Sequence, residues 1–295
     1  MNILQRIGDY GGLVKFSHTI FAMPFAIIAF TYALYAEPQI GFSWVLLLQI
    51  VLCMVFARNV AMAFNRWADR NIDKDNPRTA NREIPSGVIT PKNALIFIVI
   101  NALLFVAVTA TINTLTLILS PVALAVIMAY SYCKRFTAFS HLVLGLSLGI
   151  APAGAYIATT ATLTLPPMLL SLLVITWCGG FDIIYALQDA DFDRQRGLHS
   201  IPSHFSIATS LYISIALHVI SVVALVLFAL YCPQSIVLWS GIVLFCIILT
   251  VEHILVTPKH QRNIGIAFGT LNGLASTTLA IFMIANFLLF GHEAI

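Results

Sequence analysis

Asn65-Arg66-Trp67-Ala68-Asp69-Arg70-Asn71-Ile72-Asp73 closes a run of apolar residues long enough to cross a membrane. A second such run ends in Asp182-Ile183-Ile184-Tyr185-Ala186-Leu187-Gln188-Asp189-Ala190-Asp191-Phe192-Asp193. Asn65, Asp69 and Asp73 recur at every fourth residue, so on one continuous helix they face one way. Asp182, Tyr185, Asp189 and Asp193 form a second stripe of the same kind. Like charges one turn apart repel, and carboxylates near hydrocarbon are costly. A multivalent cation held between the stripes accounts for both. The plainer alternative is a solvated helix end capped by acids, but acids at a helix C-terminus oppose its dipole.

The rest of the chain places these stripes in a membrane. It is 60% hydrophobic and 9% charged, with a mean hydropathy of +0.94, whereas a soluble domain carries roughly a quarter charged residues. The expectation is an all-α integral membrane protein forming a single domain over residues 1–295, with no removable leader and no nucleic-acid partner. Apolar runs predict about nine spans, near 17–36, 43–65, 92–112, 114–133, 139–159, 167–188, 206–230, 235–256 and 265–291. The fifteen Lys and Arg residues gather before the first span and after the second, fourth, sixth and eighth, and Arg58 alone lies inside a span. The positive-inside rule then puts the N-terminus in the cytoplasm, the C-terminus outside, and both aspartate motifs on the cytoplasmic side of a cell membrane. Cys53, Cys133, Cys178, Cys232 and Cys246 show no C-x-x-C pairing and read as packing residues.

Polar loops follow the second and sixth spans. Ile84-Pro85-Ser86 recurs as Ile201-Pro202-Ser203, and Asp69 and Asp73 each lie 120 residues before Asp189 and Asp193, which suggests that both loops cover one site. Carboxylates bind hard cations through oxygen, and Mg²⁺ is commonly completed by substrate phosphates. Arg78, Arg82, Lys134, Arg135 and Arg194 are available for phosphate charge. A cationic, metal-lined mouth opening among apolar helices suits a diphosphate with a hydrocarbon tail, such as a polyprenyl diphosphate. Metal-assisted loss of diphosphate would leave an allylic cation for an electron-rich acceptor, with Tyr185 and Phe192 offering ring faces.

On these residues the chain resembles the UbiA superfamily of intramembrane prenyltransferases. The resemblance rests on Asn65-x-x-x-Asp69-x-x-x-Asp73 with its Arg78-Thr79-Ala80-Asn81-Arg82-x-x-Pro85-Ser86-Gly87 loop. It rests also on Asp182-x-x-Tyr185-Ala186-x-x-Asp189-x-x-x-Asp193 with Gly197-x-x-Ser200, and on Tyr130-x-x-x-Lys134-Arg135. It implies helices around a central cavity, two Mg²⁺ ions held by Asn65, Asp69, Asp73, Asp189 and Asp193, and a polyprenyl diphosphate donor. The branch acting on hydroxylated aromatic acids of the 4-hydroxybenzoate type, in ubiquinone or menaquinone synthesis, is most similar. Arg58 matches a family arginine, which implies a partner for the acceptor carboxylate or for Asp182. Asp182 or the diphosphate itself would take the ring proton.

One segment departs from the 4-hydroxybenzoate pattern. Lys15-Phe16-Ser17-His18-Thr19 opens the first span where the family commonly has an arginine, then an acidic and a basic residue. Lys15 and His18 remain acceptor candidates, and a hydroxylated naphthoate becomes a rival acceptor. His141, His218 and His253 read as packing residues, Asp191 as solvated, and Arg194 and Arg196 as topological charges. A rival of another class is an ion-coupled transporter built on Arg58, Asp69 and Asp189. No obligate protein partner beyond the lipid bilayer is expected. Chain length of the prenyl group, oligomeric state and Mg²⁺ versus Mn²⁺ stay open at this level.

Overall fold

A computed structural model describes residues 3–14 and 21–291; Lys15 and His18 lie outside the described residues. Helix α1 spans Ile3–Val14 and α2 spans Met23–Ala36. Eight further helices are long and apolar enough to cross a membrane. They begin with α3 (Trp44–Ala68), which runs into the short α4 (Arg70–Asp75), then α5 (Pro91–Ala110), α6 (Thr114–Cys133), α7 (Ser140–Thr160) and α8 (Leu165–Ala186). After the short α9 (Ala190–Arg196) and α10 (Ile201–His204) come α11 (Ile207–Ala229), α12 (Ile236–Leu255) and α13 (Asn272–Phe290). The protein is thus a multi-pass membrane protein, and the described residues hold nine apolar helices when the 14-residue α2 is included, in line with the expected nine or so. The expected last span is not uniformly α-helical. A π-helical turn, Ile266–Leu271, precedes α13, and the Asn272 side chain bonds back to the Ala267 carbonyl at 3.0 Å.

Local sequence sets the starts of these helices. Ser43, Thr90, Asn113, Ser206 and Ser235 each accept a hydrogen bond from a backbone N–H of the first turn, which satisfies part of the free donors at those helix starts. With apolar residues on every face, the helices pack partly on one another and partly present Leu, Ile, Val and Phe side chains outward, as a lipid solvent permits.

Two large apolar cores result, beside a smaller cluster of Ile184, Leu187, Leu211, Val256, Ile264 and Ala267. One joins α2, α7, α8, α11, α12 and α13 around Trp177, Phe25, Phe228 and Phe245. The other joins α3, α5 and α6 around Val60, Ala63, Ile98 and Ile127, with Leu13 of α1 and Ile84 and Ile89 of the first polar loop. The α7–α8 crossing is the tightest contact near the site. A Cβ at Gly145 would lie 2.1 Å from the Ile175 carbonyl oxygen, and one at Gly149 would lie 3.0 Å from that of Ser171. This is the small-residue approach expected where no hydrophobic force drives helices together in lipid. His141, Gly145 and Gly149 stand one turn apart on α7, so the same close face carries His141 towards Asp182 of α8.

Candidate functional site

Both aspartate motifs break their helices at the aspartate. The α3 helix stops at Ala68, Asp69 takes φ −92° and ψ 3°, and α4 begins at Arg70. The α8 helix gives way to a 3₁₀ turn, Leu187–Asp189, where Asp189 takes φ −108° and ψ 1° before α9. This corrects the expectation of one continuous stripe in each motif. It also corrects the dipole argument: Asp69 precedes α4 and Asp73 lies in its first turn, Asp189 precedes α9 and Asp193 lies in its first turn, so each acid pair sits at a helix start, where the dipole favours it. The facing survives because the Asp69 N–H still donates to the Asn65 carbonyl at 2.9 Å and the Asp73 N–H to the Asp69 carbonyl at 2.8 Å.

Each motif carboxylate then has its own partner. Lys134, just past the end of α6, lies 2.6 Å from Asp69, and the Asn65 amide donates to the same carboxylate at 3.2 Å. Arg135 donates to the Ala68 carbonyl at 2.7 Å and approaches Asp69 to 3.5 Å. Arg82 forks onto Asp73 at 2.8 and 2.9 Å. Arg78 crosses to the second motif, donating its Nε–H to Asp189 at 2.8 Å and a second guanidinium N–H to the other oxygen. Asn76 adds a bond to Asp189 at 3.1 Å. Asp193 instead accepts from the Ser200 hydroxyl at 2.9 Å. Asp69 is 1% exposed, and burial pushes its carboxyl above the usual carboxylate range against the pull of the Lys134 ammonium.

Apart from Arg135, these side chains line a polar cavity of about 830 Å³, mouth included, to which α3, α4, α6, α7, α8, α9 and both polar loops contribute. A second cavity of about 1150 Å³ lies beside it, apolar and bounded by α3, α5, α6 and α7. Tyr130 lines both. Arg58 lines the apolar cavity, and its Nε is buried with no hydrogen-bond partner. Arg58 does not pair with Asp182; His141 does, with its Nδ1 2.7 Å from an Asp182 oxygen. Tyr185 lines the polar cavity, its hydroxyl accepts from Arg78 at 3.0 Å, and its ring already carries Arg78 at 5.4 Å and Phe268 at 4.1 Å.

The expected residues Asn65, Asp69, Asp73, Arg78, Arg82, Tyr130, Lys134, Asp182, Tyr185, Asp189 and Asp193 therefore meet in one cavity. Asp191 points away and pairs with Arg194, which also bonds the Pro202 and Ser203 carbonyls. Arg196 pairs with Asp75, so it ties α9 to α4 rather than serving topology alone. His141 and Asn76 were not read as site residues, and Ser200 entered only as the end of the Gly197-x-x-Ser200 motif, with no role assigned. Asn76-Pro77 and Ser200-Ile201-Pro202 carry turn and cap signals that would have pointed to the last two.

Among the described residues, no three Asp, Glu, His or Cys side chains gather closely enough to hold an ion by themselves, since each carboxylate is turned onto its own partner. The donor set nevertheless fits a hard cation: four carboxylates and the Asn65 amide around one cavity, with Asp69 Oδ1 buried and lacking a hydrogen bond.

Comparison with known proteins agrees with this geometry. The chain is 35% identical over 158 residues to a 4-hydroxybenzoate octaprenyltransferase of Aliivibrio fischeri, covering 54% of this chain and 55% of that protein. It thus spans about half the length of the curated relatives it matches. A solved UbiA homolog from Aeropyrum pernix superposes with a TM-score of 0.77 at 27% identity, over 92% of this chain and 97% of that one. A UbiA homolog from Archaeoglobus fulgidus, solved bound to GPP and Mg²⁺, superposes with a TM-score of 0.76 at 17% identity, over 95% and 100% of the two chains. The family model matches residues 22–289, a stretch that contains both aspartate breaks and the whole polar cavity, and the chain belongs to the UbiA prenyltransferase family.

Proposed function

We propose that the chain transfers a polyprenyl group from polyprenyl diphosphate to the ring of a hydroxylated aromatic acid of the 4-hydroxybenzoate type, in quinone synthesis. The observation that carries this reading is the junction of the two cavities at Tyr130: a carboxylate- and cation-lined chamber for a diphosphate adjoins an apolar chamber for its tail. The relatives named 4-hydroxybenzoate octaprenyltransferase support the acceptor class. Single-domain organisation over 1–295 and a cytoplasmic site, from the sidedness of Lys and Arg, belong to the same proposal.

Asn65, Asp69, Asp73, Asp189 and Asp193 would hold the divalent cations, two Mg²⁺ in this reading. When bound, Mg²⁺ neutralises the diphosphate and helps it depart as a leaving group. Arg78, Arg82, Lys134 and Arg135 would take over the remaining phosphate charge, exchanging the carboxylates they now contact for phosphate oxygens. Arg58, with its buried and unpartnered Nε near the cavity junction, would orient the acceptor carboxylate. The apolar walls exclude water from the cationic carbon, so the ring rather than water captures it. The geometry does not favour an ion-coupled transporter, since the carboxylates and cations gather at one end of the helices.

The test is prenyl transfer in membranes carrying the chain, with Mg²⁺, a labelled polyprenyl diphosphate, and 4-hydroxybenzoate or a hydroxylated naphthoate offered in parallel. Product with one acceptor, abolished by chelation, supports the reading and names the acceptor. No product with either, from folded protein that also fails to bind the diphosphate, overturns it.

A further inference from the structure

The second polar loop holds two carboxylates of the cavity through adjacent residues. Ser200 caps α10 and donates its hydroxyl to Asp193 at 2.9 Å. Ile201, the next residue, donates its backbone N–H to His141 Nε2 at 3.2 Å. His141 is 2% exposed and stands in the first turn of α7, with Nδ1 2.7 Å from Asp182 Oδ2. An imidazole nitrogen that accepts a backbone N–H carries no hydrogen of its own. The ring hydrogen therefore sits on Nδ1 and points at Asp182, a tautomer assigned from the hydrogen-bond network. Asp69, Asp73 and Asp189 each face a cation; Asp182 faces this neutral donor.

We infer that His141 is a positioning residue for the proposed transfer, holding Asp182 in place as the acceptor of the ring proton. The inference rests on the prenyl-transfer reading above. In that reaction the C1–O bond of the donor breaks and its electron pair leaves on the diphosphate. A ring carbon ortho to the hydroxyl then bonds to C1 with its own π pair. The C–H bond at that carbon breaks last: its electrons restore the aromatic ring, and its proton goes to an Asp182 oxygen. His141 cannot take this proton, because Nδ1 already carries one and Nε2 is engaged by Ile201. Asp182 lines the same cavity as Tyr130, where the acceptor ring would lie, and that polar cavity would carry its proton away.

The test compares the rate of transfer to the acceptor that the wild type prenylates with the rate to the same acceptor deuterated ortho to its hydroxyl. The wild type is expected to show little isotope effect, since proton loss follows the slower carbon–carbon step. His141→Phe is expected to slow transfer about tenfold and to expose a primary isotope effect, because proton loss has become limiting. His141→Asn, whose amide nitrogen can replace Nδ1, should recover much of the rate and suppress the isotope effect. Asp182→Asn should show the same isotope effect with a loss of roughly 10²-fold. An active His141→Phe variant with no isotope effect, or a loss that His141→Asn shares in full, overturns the inference while leaving prenyl transfer intact. If His141→Phe does not fold, His141→Asn and Asp182→Asn decide the matter by the same readout. No transfer by the wild type to any acceptor overturns the underlying reading as well.

Discussion

At the first break Asp69 and Asp73 both face cations, Lys134 and Arg82, and both are buried. At the second, Asp189 faces Arg78 and Asp193 faces the Ser200 hydroxyl, and both are partly open to the cavity. The backbone is nearly the same at the two places, with ψ close to zero at Asp69 and Asp189 and a short helix following. What differs is the counter-charge and the depth. A repeated backbone device thus supports two unequal halves: the first is closed by its own ion pairs, and the second is left more available to a ligand.

The largest expected effects test what the halves share. Asp69→Ala and Asp189→Ala should each lower prenyl transfer by roughly 10²–10³-fold, as for loss of one group that stabilises developing charge; a full rate in either, measured with labelled donor, would break the pairing. Lys134→Met tests the difference in depth. It leaves the buried Asp69 carboxylate with only the Asn65 amide and the more distant Arg135, and should lower stability in detergent by about 3 kcal/mol, with Asp69→Asn in the same chain restoring most of it. The matching Arg78→Met should do less harm to the fold, because Asp189 keeps Asn76 and some solvent. Ser200→Ala removes both the hydrogen bond to Asp193 and the cap on α10, and should destabilise the protein by about 1–2 kcal/mol in thermal unfolding. The smallest effect belongs to the exposed Arg196–Asp75 pair that joins α9 to α4: Arg196→Ala should change stability by no more than about 0.5 kcal/mol.

Much of this site could be read from residue spacing, because helix periodicity puts Asn65, Asp69 and Asp73 on one face whether or not the helix is whole. The breaks themselves could not. Ala68-Asp69-Arg70 and Gln188-Asp189-Ala190 contain neither Gly nor Pro, so nothing local announces a change of direction. His141 was read as packing because a lone histidine on an apolar helix has no visible partner; its partners come from Asp182 and Ile201, 41 and 60 residues away. The pairing of cations with carboxylates was likewise hidden, since charge counts show sidedness but not which loop crosses to which helix. Arg58 was placed correctly by depth, but its suggested bond to Asp182 was pre-empted by His141.

The glycine face of α7 has a mechanical consequence. With the Ile175 carbonyl already where a Cβ at position 145 would be, α7 and α8 have no slack to slide or part. Of the apolar stretch of α7, which bounds the apolar cavity, 44% is buried, against 28% for α5 and 22% for α6 of the same cavity. The apolar chamber is therefore bounded on one side by α7, which is locked to α8, and on another by the less buried α5 and α6. A guest of greater girth would displace α5 and α6 more readily than the interlocked α7–α8 pair.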